Sequence, residues 1–511
     1  MQIRLHTRSR SRSTRCAERH VQTKEEAGPG GASARQLSTG AIGFPTALAS
    51  AVGLIMASPV ILTVTTGFGI GGSAFAVAIG IAFVLMQAQA TTFAEAAAIL
   101  PTPGSVYDFM HCGLGRWLAI TGTLTAYVLV HVFAGTAETI LSGTMALVNF
   151  PAANAALEQV GGSWIVGVVL VLTFATLNVF GVQAFGRAEI VLTFGMWLTL
   201  TCVGLVGLVH TPAVDDGLPF GASSIGTSPE AVLSLVGMAI FMFVGFEFVT
   251  PLAPELRQPA RTIPRAMALG LTLVVVCMLI YGAAIRRQVP NIAVSPDGLV
   301  HLLDTPDAIP QFALRVLGPL GRAWLGVGFL FAGAATINTL MAGLPRILYG
   351  MAMDGALPRA FAYLHPRFKT PVVGIAVSAA IPIAHATLLH GNIDRIMPLV
   401  LAAVCAWGTA YILVNVAIVV LRRRRPDLAR PYRSPLFPLP QVVSTAGILV
   451  AIWYVAPPGM DRSAVFIPFG IMFGCTALYA LVWTRGVQRQ PLFRLARVED
   501  VLEREHATRA E

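Results

Sequence analysis

Ionisable side chains are scarce in the apolar part of this 511-residue chain, and the few that occur there are the first candidates for chemistry. They are Glu95, His131, Glu138, Glu189 and Glu247. Burying such a group among apolar residues costs free energy, so each one needs a partner or a function. A buried carboxylate or imidazole can carry a proton or bind a cationic group. The six cysteines show no zinc or redox spacing, and we predict no metal site and no cofactor.

Two of these residues, His131 and Glu138, are seven positions apart. Seven residues make two helical turns, so both side chains fall on one face of a helix. Such a polar stripe either holds two helices together through hydrogen bonds or forms a route for protons. Glu95 and Glu189 lie near the expected inner ends of helices, where a carboxylate can reach water or cap the helix.

A helix start is indicated in the middle of an apolar run, at Ala57-Ser58-Pro59. Ser followed by Pro is typical of a helix N-cap and first helical position. The amides beyond Pro59 would point their partial positive charge into the protein, where they can bind an anionic group. A simple proline kink is the alternative.

A second interruption occurs at Gly245-Phe246-Glu247, which is followed by prolines at positions 251 and 254. The interrupted runs are the first and the sixth of the chain, one five-helix unit apart. Paired interruptions of this kind indicate a substrate site near the middle of the membrane in transporters built from inverted repeats. Glu247 lies at the second interruption, and we expect it to have a functional role.

The composition shows which elements must position these residues. Only 12% of the residues are charged, against about a quarter in soluble domains, while 55% are hydrophobic and the mean hydropathy is +0.71. These values exclude a soluble enzyme, a disordered chain and a nucleic-acid-binding protein, despite the net charge of +10. A membrane span needs about 20 apolar residues. Twelve such runs occur, at residues 44–66, 73–99, 117–148, 163–184, 188–210, 231–253, 266–285, 323–351, 372–390, 395–421, 439–456 and 464–484.

The distribution of basic residues predicts how these runs are oriented, because Lys and Arg favour the cytoplasmic side. With the N-terminus inside, few of the 35 Lys and Arg residues fall in outer loops. We therefore predict a multi-pass protein of the cytoplasmic membrane with both termini in the cytosol. Its parts are a disordered basic tail (1–43), a transmembrane domain (44–484) and a C-terminal tail (485–511). The Lys and Arg residues of the predicted outer loops are Arg286, Arg287, Arg315, Arg322, Arg395 and Arg462, and these loops also hold Asp215, Asp216, Asp297, Asp304 and Asp307.

Several motifs together resemble the amino acid-polyamine-organocation superfamily, in particular its amino acid permeases. The resemblance covers about residues 44–484 and rests on the combination of motifs. The matching segments are Phe243-Val244-Gly245-Phe246-Glu247, Glu255-Leu256-Arg257 with Pro259, Arg261 and Ile263-Pro264-Arg265-Ala266, Pro345-Arg346 with Gly350, Asp354-Gly355 and Leu357-Pro358, His365 with Thr370-Pro371, and Arg422 to Pro426 with Arg430-Pro431-Tyr432-Arg433.

The resemblance implies an all-helical membrane protein with two inverted five-helix repeats and two further C-terminal helices. It implies that substrate lies between unwound parts of helices 1 and 6. By position, Phe241 matches the family's aromatic gate, Gly245 its unwinding glycine, and Glu247 its acid for gating or proton coupling. The inner gate would be held by ion pairs between Asp354 and the loop after helix 6. The predicted substrate-binding residues are Ala57, Ser58, Val60, Phe241, Val244 and Gly245, and the predicted proton-coupling residues are Glu247, Glu138 and His131.

Two departures from the family pattern concern the first and fifth helices. Where the family usually carries a Gly-Ser-Gly break, this chain has Ala57-Ser58-Pro59, and Pro59 removes one amide donor. Some proton-coupled members have a lysine in helix 5, and the matching position here is Met196. A sodium site at Thr336 or Thr339 is the alternative to proton coupling.

These features together predict a secondary active transporter for an amino acid or a related small amine. Proton-coupled symport or exchange is the expected mechanism, and no covalent chemistry is needed. The alternative is a facilitative pore or a substrate sensor on the same scaffold. A membrane-embedded enzyme has little support, because no paired acids lie beside a nucleophile motif.

Overall fold

The computed structural model of the protein describes residues 37–214, 220–224, 228–296, 298, 300–392, 397–456 and 461–510. Most of the basic N-terminal tail lies outside the described residues, as do Asp215, Asp216, Asp297 and Arg395 from the predicted outer loops. Long apolar helices make up most of the described chain. Backbone pairing between distant extended residues is limited, within this part, to isolated bridges such as that between Ile42 and Leu256.

The described helices form twelve spans, as the apolar runs predict. Eight helices are long and apolar enough to cross a membrane, and four shorter apolar helices complete the set. Ser58–Ile99 belongs to two spans, because the backbone bends at Gly72, where φ is 47°. The spans are (1) Phe44–Gly53 with 58–71, (2) 73–99, (3) Arg116–Leu147, (4) Trp164–Val179, (5) Val182–Val209, (6) Pro229–Phe241 with Phe246–Glu255, (7) Pro259–Gln288, (8) Ala308–Met353, (9) Val372–Leu388, (10) Met397–Arg424, (11) Leu439–Trp453 and (12) Ser463–Val482.

Shorter helical segments connect these spans or interrupt them. Val106–Leu114 follows span 2, Pro151–Glu158 follows span 3, and Val498–Ala510 follows span 12. Span 3 contains two wider, π-helical turns, at Leu124–Leu129 and His131–Gly135. Single turns also occur at Leu302–Asp304, Arg359–Ala362 and Trp483–Val487.

Large apolar side chains remain exposed on the periphery of the helix bundle. Examples are Val84 on span 2, Leu172 on span 4, Leu449 on span 11 and Leu478 on span 12, each more than half exposed. A contiguous apolar exterior is unfavourable in water and favourable against lipid chains. The exterior of the bundle is therefore a lipid-facing surface.

Span 1 is broken where the sequence indicates a helix start. Its first half ends at Gly53, and its second half begins at Ser58 with Pro59 in the first turn. The N-cap is Ala57, whose backbone is extended (φ −66°, ψ 153°), so the cap lies one residue before the predicted Ser58. Between the two halves the residues are buried, so the break lies inside the protein and not at its surface.

Span 6 is broken at Gly245, as the sequence also indicates. An α-helix ends at Phe241, and a tighter 3₁₀ helix with prolines at 251 and 254 runs over Phe246–Glu255. Gly245 has a φ of 116°, which favours glycine. A Cβ atom built at this position would lie 2.8 Å from the Leu54 side chain. The glycine therefore allows the breaks of spans 1 and 6 to approach each other closely.

Candidate functional site

A cavity lies between the two breaks. It contains about 570 Å³ of space, including the part open to solvent. Spans 1, 3, 6, 8 and 10 supply its walls. Most of the lining is apolar or aromatic, with a few polar groups, so the cavity suits a small solute that has one polar end.

Six of the nine residues predicted for the site line this cavity, namely Ala57, Val60, His131, Glu138, Phe241 and Val244. The other three, Ser58, Gly245 and Glu247, do not line it. Each is adjacent in sequence to a residue that does, namely Ala57, Val244 and Phe248. Ser58 donates hydrogen bonds to Glu138, and Gly245 donates one to Glu247. The structure thus brings the predicted set together, while the individual roles stay predictions.

Glu138 caps the second half of span 1. Its carboxylate accepts a hydrogen bond from the Ser58 amide at 3.1 Å and another from the Ser58 hydroxyl at 2.9 Å. Both residues are buried, at 1% and 0% exposure. A carboxylate at a helix N-terminus is stabilised by the unpaired amides and the helix dipole. A side chain of the protein itself therefore lies at this helix start, at Ser58, while the amides predicted to bind an anion are those beyond Pro59.

His131 and Glu138 both line the cavity, which confirms that they share one face of span 3. The spacing between them includes the π-helical turn His131–Gly135 in addition to ordinary α-helix. The His131 Nε2 donates to the Ser378 carbonyl oxygen at 2.7 Å. Its Nδ1 is buried and has no hydrogen-bond partner within the described part of the chain. The neutral ring in this arrangement offers a lone pair on Nδ1.

Glu247 lies behind the cavity, in a cluster that joins three spans. Its carboxylate accepts hydrogen bonds from the Tyr411 hydroxyl of span 10 at 2.6 Å and the Tyr127 hydroxyl of span 3 at 3.1 Å. The amide of Gly245 donates to the same carboxylate at 3.2 Å. Tyr127 itself lines the cavity. The charge state of Glu247 is therefore connected to the cavity wall through one hydroxyl group.

The expectation that Glu189 reaches water or caps a helix end is wrong. Glu189 is fully buried. Its carboxylate accepts hydrogen bonds from Asn338 at 2.7 Å, from Thr339 at 2.8 Å and from Thr193 at 2.9 Å. Asn338 and Thr339 belong to span 8, so the carboxylate ties spans 5 and 8 together beside the first half of span 1.

The same expectation is wrong for Glu95, which is also fully buried. The Arg422 guanidinium donates to both oxygens of its carboxylate, and the Ser434 amide donates at 2.8 Å. A bidentate pair of this kind satisfies the charge and fixes the geometry. Glu95 therefore fastens span 2 to the end of span 10 and the loop that follows it.

A buried ion pair joins the end of span 6 to span 8. Glu255, at the end of span 6, accepts a bidentate pair of hydrogen bonds from Arg346 of span 8, and each residue is 1% exposed. Both residues belong to motifs that carry the family resemblance. Ser105 and Thr250 add a hydroxyl–hydroxyl contact of 2.5 Å at the same end of span 6.

The prediction that Asp354 pairs with the loop after span 6 is wrong. Its partners are Tyr107, whose hydroxyl donates at 2.5 Å, Arg116 at 2.7 Å, and Arg504 of the C-terminal helix. Burial by itself would raise the pKa of Asp354, but the neighbouring His111 ring, 3.3 Å away, and the charges of Arg504 and Arg116 hold this pKa below its ordinary value. Asp354 therefore docks the C-terminal helix.

The sequence prediction missed several aromatic residues of the site. Tyr127, Phe248 and Trp407 line the cavity, and Tyr411 holds Glu247. Aromatic side chains within apolar runs are ordinary core residues by composition. The only available signal was the hydroxyl of each tyrosine, which needs a hydrogen-bond partner when it is buried.

Comparison with known proteins identifies the family. Residues 42–482 match the profile of the family described as amino acid permease. The chain belongs to this family. It is 25% identical over 448 residues to the branched-chain amino acid permease BcaP of Bacillus subtilis, covering 82% of this chain and 89% of BcaP. It is also 25% identical to the mouse cationic amino acid transporter 4, covering 85% of this chain and 69% of that protein.

Membership confirms the superfamily resemblance and makes this permease a multi-pass membrane protein that transports rather than catalyses. The relatives are named for different substrates. The Bacillus subtilis methylthioribose transporter is 23% identical, covering 78% of this chain and 84% of its own length. Membership of the family therefore does not by itself determine which solute is transported.

Proposed function

We propose that this permease is a secondary active transporter that moves an amino acid or a related small amine across the cytoplasmic membrane, coupled to protons by symport or exchange. The observation that carries the proposal is the meeting of two broken spans at one cavity. Unwound backbone at membrane depth occurs where it lines a cavity, and paired breaks in spans 1 and 6 belong to solute sites.

The contacts around the cavity support alternating access. The Glu255–Arg346 pair and the Ser105–Thr250 contact join the inner half of span 6 to neighbouring elements. Phe241, at the end of the outer half of span 6, lines the cavity beside Val244. In the proposed cycle, Phe241 closes over the bound solute, and the inner contacts then separate to release it.

Proton coupling is assigned to Glu247, with His131 and Glu138 as further candidates. The ionised carboxylate of Glu247 accepts three hydrogen bonds that join spans 3, 6 and 10. Protonation removes the charge that these donors stabilise and weakens the connection. A change of protonation would therefore loosen the break of span 6 and its contact with the cavity wall.

Sodium coupling is the alternative, and one observation favours it. Thr336 donates to the Gly53 carbonyl at 3.1 Å, and Thr339 donates to Glu189 at 2.8 Å. Hydroxyl, carbonyl and carboxylate oxygens thus lie close together beside the break of span 1. Oxygen atoms are the ligands preferred by hard cations such as sodium.

The orientation is also proposed here. Arg504 after span 12 contacts both Asp354 after span 8 and Asp108 after span 2, so these connections lie on one face of the protein. The bias of basic residues supports the cytosol as that side, with both termini inside. The proposed parts of the chain remain the tail 1–43, the domain 44–484 and the tail 485–511.

The test is a transport screen with purified permease in liposomes. Radiolabelled amino acids, polyamines and small amines are offered with an imposed pH gradient, with a sodium gradient, or with neither. The proposal expects accumulation of at least one compound above its external concentration under the pH gradient. Binding without accumulation under any gradient would contradict active transport and support a pore or a sensor.

A further inference from the structure

The amides in the first turn of the second half of span 1 are engaged. The Ser58 amide donates to Glu138 at 3.1 Å, and Pro59 has no amide hydrogen. The next two amides, of Val60 and Ile61, donate to the Ala57 carbonyl at 3.0 and 3.1 Å. A free α-carboxylate would need these donors. The first turn of this half-helix therefore offers no amide hydrogen to a solute.

The break of span 6 likewise has its amide engaged. The Gly245 amide faces the Glu247 carboxylate at 3.2 Å and the Tyr411 hydroxyl at 3.3 Å. At each break, an amide that could hold a solute carboxylate is thus bonded to a carboxylate of the protein itself, Ser58 to Glu138 and Gly245 to Glu247.

Apart from the Trp407 indole, the polar side chains of the cavity wall offer lone pairs and not hydrogens. Tyr127 donates its hydrogen to Glu247, and Thr336 donates its hydrogen to the Gly53 carbonyl. His131 donates from Nε2 to Ser378, which leaves the lone pair of the neutral ring on the buried Nδ1. The Glu138 carboxylate only accepts. Four polar groups of the wall can thus receive a hydrogen bond from a solute.

The charge and the aromatic content of the wall agree with this pattern. Among its described residues the wall contains one carboxylate, that of Glu138, and no Lys or Arg. The rings of Tyr127, Phe241, Phe248 and Trp407 add faces that attract a cation. The Trp407 Nε1 hydrogen has no partner within the described residues and suits a neutral acceptor such as a hydroxyl or carbonyl oxygen.

We infer that the cavity selects an organic ammonium ion without an α-carboxylate, with the ammonium group at Glu138 and His131. The protein's own carboxylate holds the place at span 1 that a solute carboxylate would need. A second carboxylate beside it would meet like charge in a poorly solvated site. This inference rests on the proposed transport function and specifies the solute class of the same cavity.

The experiment compares matched pairs that differ by the α-carboxylate alone. The pairs are isoamylamine with leucine, phenethylamine with phenylalanine, and agmatine with arginine. The full-length permease is purified, and apparent affinity is measured by thermal stabilisation and by counterflow in proteoliposomes. The inference expects one or more amines to bind at least tenfold more tightly than the matching amino acid.

The Glu138→Gln variant tests the assigned carboxylate. It is expected to lose at least tenfold in amine affinity, while Glu158→Gln, which changes an exposed carboxylate on the helix Pro151–Glu158, keeps the wild-type value. Size-exclusion chromatography checks folding. If Glu138→Gln does not fold, the inference is tested by the wild-type protein alone, through its affinity for the amine and for the amino acid of each pair.

Two results would overturn the inference, and they differ in what they leave standing. Tighter binding of the amino acid in every pair that binds would contradict the amine assignment and leave the transporter intact. Failure of every amine and every amino acid to bind or exchange would contradict both the inference and the proposed function.

Discussion

The Glu138 carboxylate of span 3 accepts hydrogen bonds from both the amide and the hydroxyl of Ser58 at the break of span 1. This contact joins residues 80 positions apart and places a negative charge on the wall of the cavity. It fixes the start of a half-helix and determines the charge that a solute meets there. Helix capping and solute recognition therefore depend on the same side chain.

Replacing Glu247 by Gln should separate exchange from accumulation. The variant keeps the shape of the side chain but cannot ionise, so it should exchange solute across liposomes and lose at least tenfold in pH-driven accumulation. Uptake and counterflow on the same preparation measure the two activities, with Glu158→Gln as the matched control. Undiminished accumulation would remove Glu247 from the coupling mechanism.

Phe241→Ala should weaken solute binding roughly tenfold, which corresponds to about 1.4 kcal/mol. The ring lines the cavity, whereas the nearby Phe243 is fully buried and packs against Phe83 of span 2 with ring centroids 6.3 Å apart. Phe243→Leu is therefore a control that preserves most of the buried volume. Affinity is measured by thermal stabilisation with solute. Equal losses of affinity in the two variants would contradict the role of Phe241 as a gate.

Glu255→Gln should destabilise the fold by about 3 to 5 kcal/mol, because it leaves the Arg346 charge buried without its partner. The double variant Glu255→Gln with Arg346→Met removes both charges and should recover part of this loss. Thermal unfolding in detergent compares the three proteins. A double variant that is less stable than the single one would show that the unpaired Arg346 charge does not cause the loss of stability.

Asp354→Asn should loosen the C-terminal helix Val498–Ala510, because one of the two carboxylates that hold Arg504 loses its charge. Trypsin should then cleave after the exposed Arg497 several times faster than in the wild type. Asp461→Asn, at an exposed aspartate before span 12, is the control. Unchanged cleavage would mean that other contacts hold the helix.

The docking of the C-terminal helix through Asp354 should not vary between about pH 5 and 8. Asp354 has a pKa below its ordinary value, outside the spans, because its partners outweigh the effect of burial. A carboxyl group with a lowered pKa stabilises the folded state above its ordinary pKa of about 3.9, and the contribution is lost only as the pH falls further. Cleavage rates at Arg497 relative to an unstructured peptide check this range. Strong loosening near pH 6 would contradict the assignment.

Lys369 tests the orientation, since Lys24 and Lys369 are the only lysines in the chain. Lys369 lies between spans 8 and 9, on the proposed cytosolic side. An impermeant amine reagent should modify it in inside-out vesicles and not in intact cells, as measured by peptide mass spectrometry. Glu158→Lys supplies an outer control that should react in intact cells. Labelling of Lys369 from outside would reverse the topology.

The parts of the site that follow from local sequence could be predicted. Ser58-Pro59 and the glycine at 245 followed by prolines each determine backbone conformation within a few residues, and both breaks are present in the structure. The contact of Glu138 with Ser58 could not be predicted, because it depends on how spans 1 and 3 pack. Helical spacing showed only that Glu138 faces the same way as His131.

Glu189 shows the opposite case, in which position along a helix is misleading. It lies eight residues after Gly181, the residue that precedes span 5, which suggests access to water. It is buried because Asn338 and Thr339 of span 8 pack against it. No local feature of the sequence reveals a partner about 150 residues away. The same holds for Tyr411 beside Glu247.

The most direct test of the account is an experimental structure of the permease with a transported solute bound. We predict density for the solute between the breaks of spans 1 and 6, with its ammonium group within hydrogen-bond distance of Glu138 and its body against Phe241. Continuous helices through residues 54–57 and 242–245, or a solute bound away from this cavity, would contradict it.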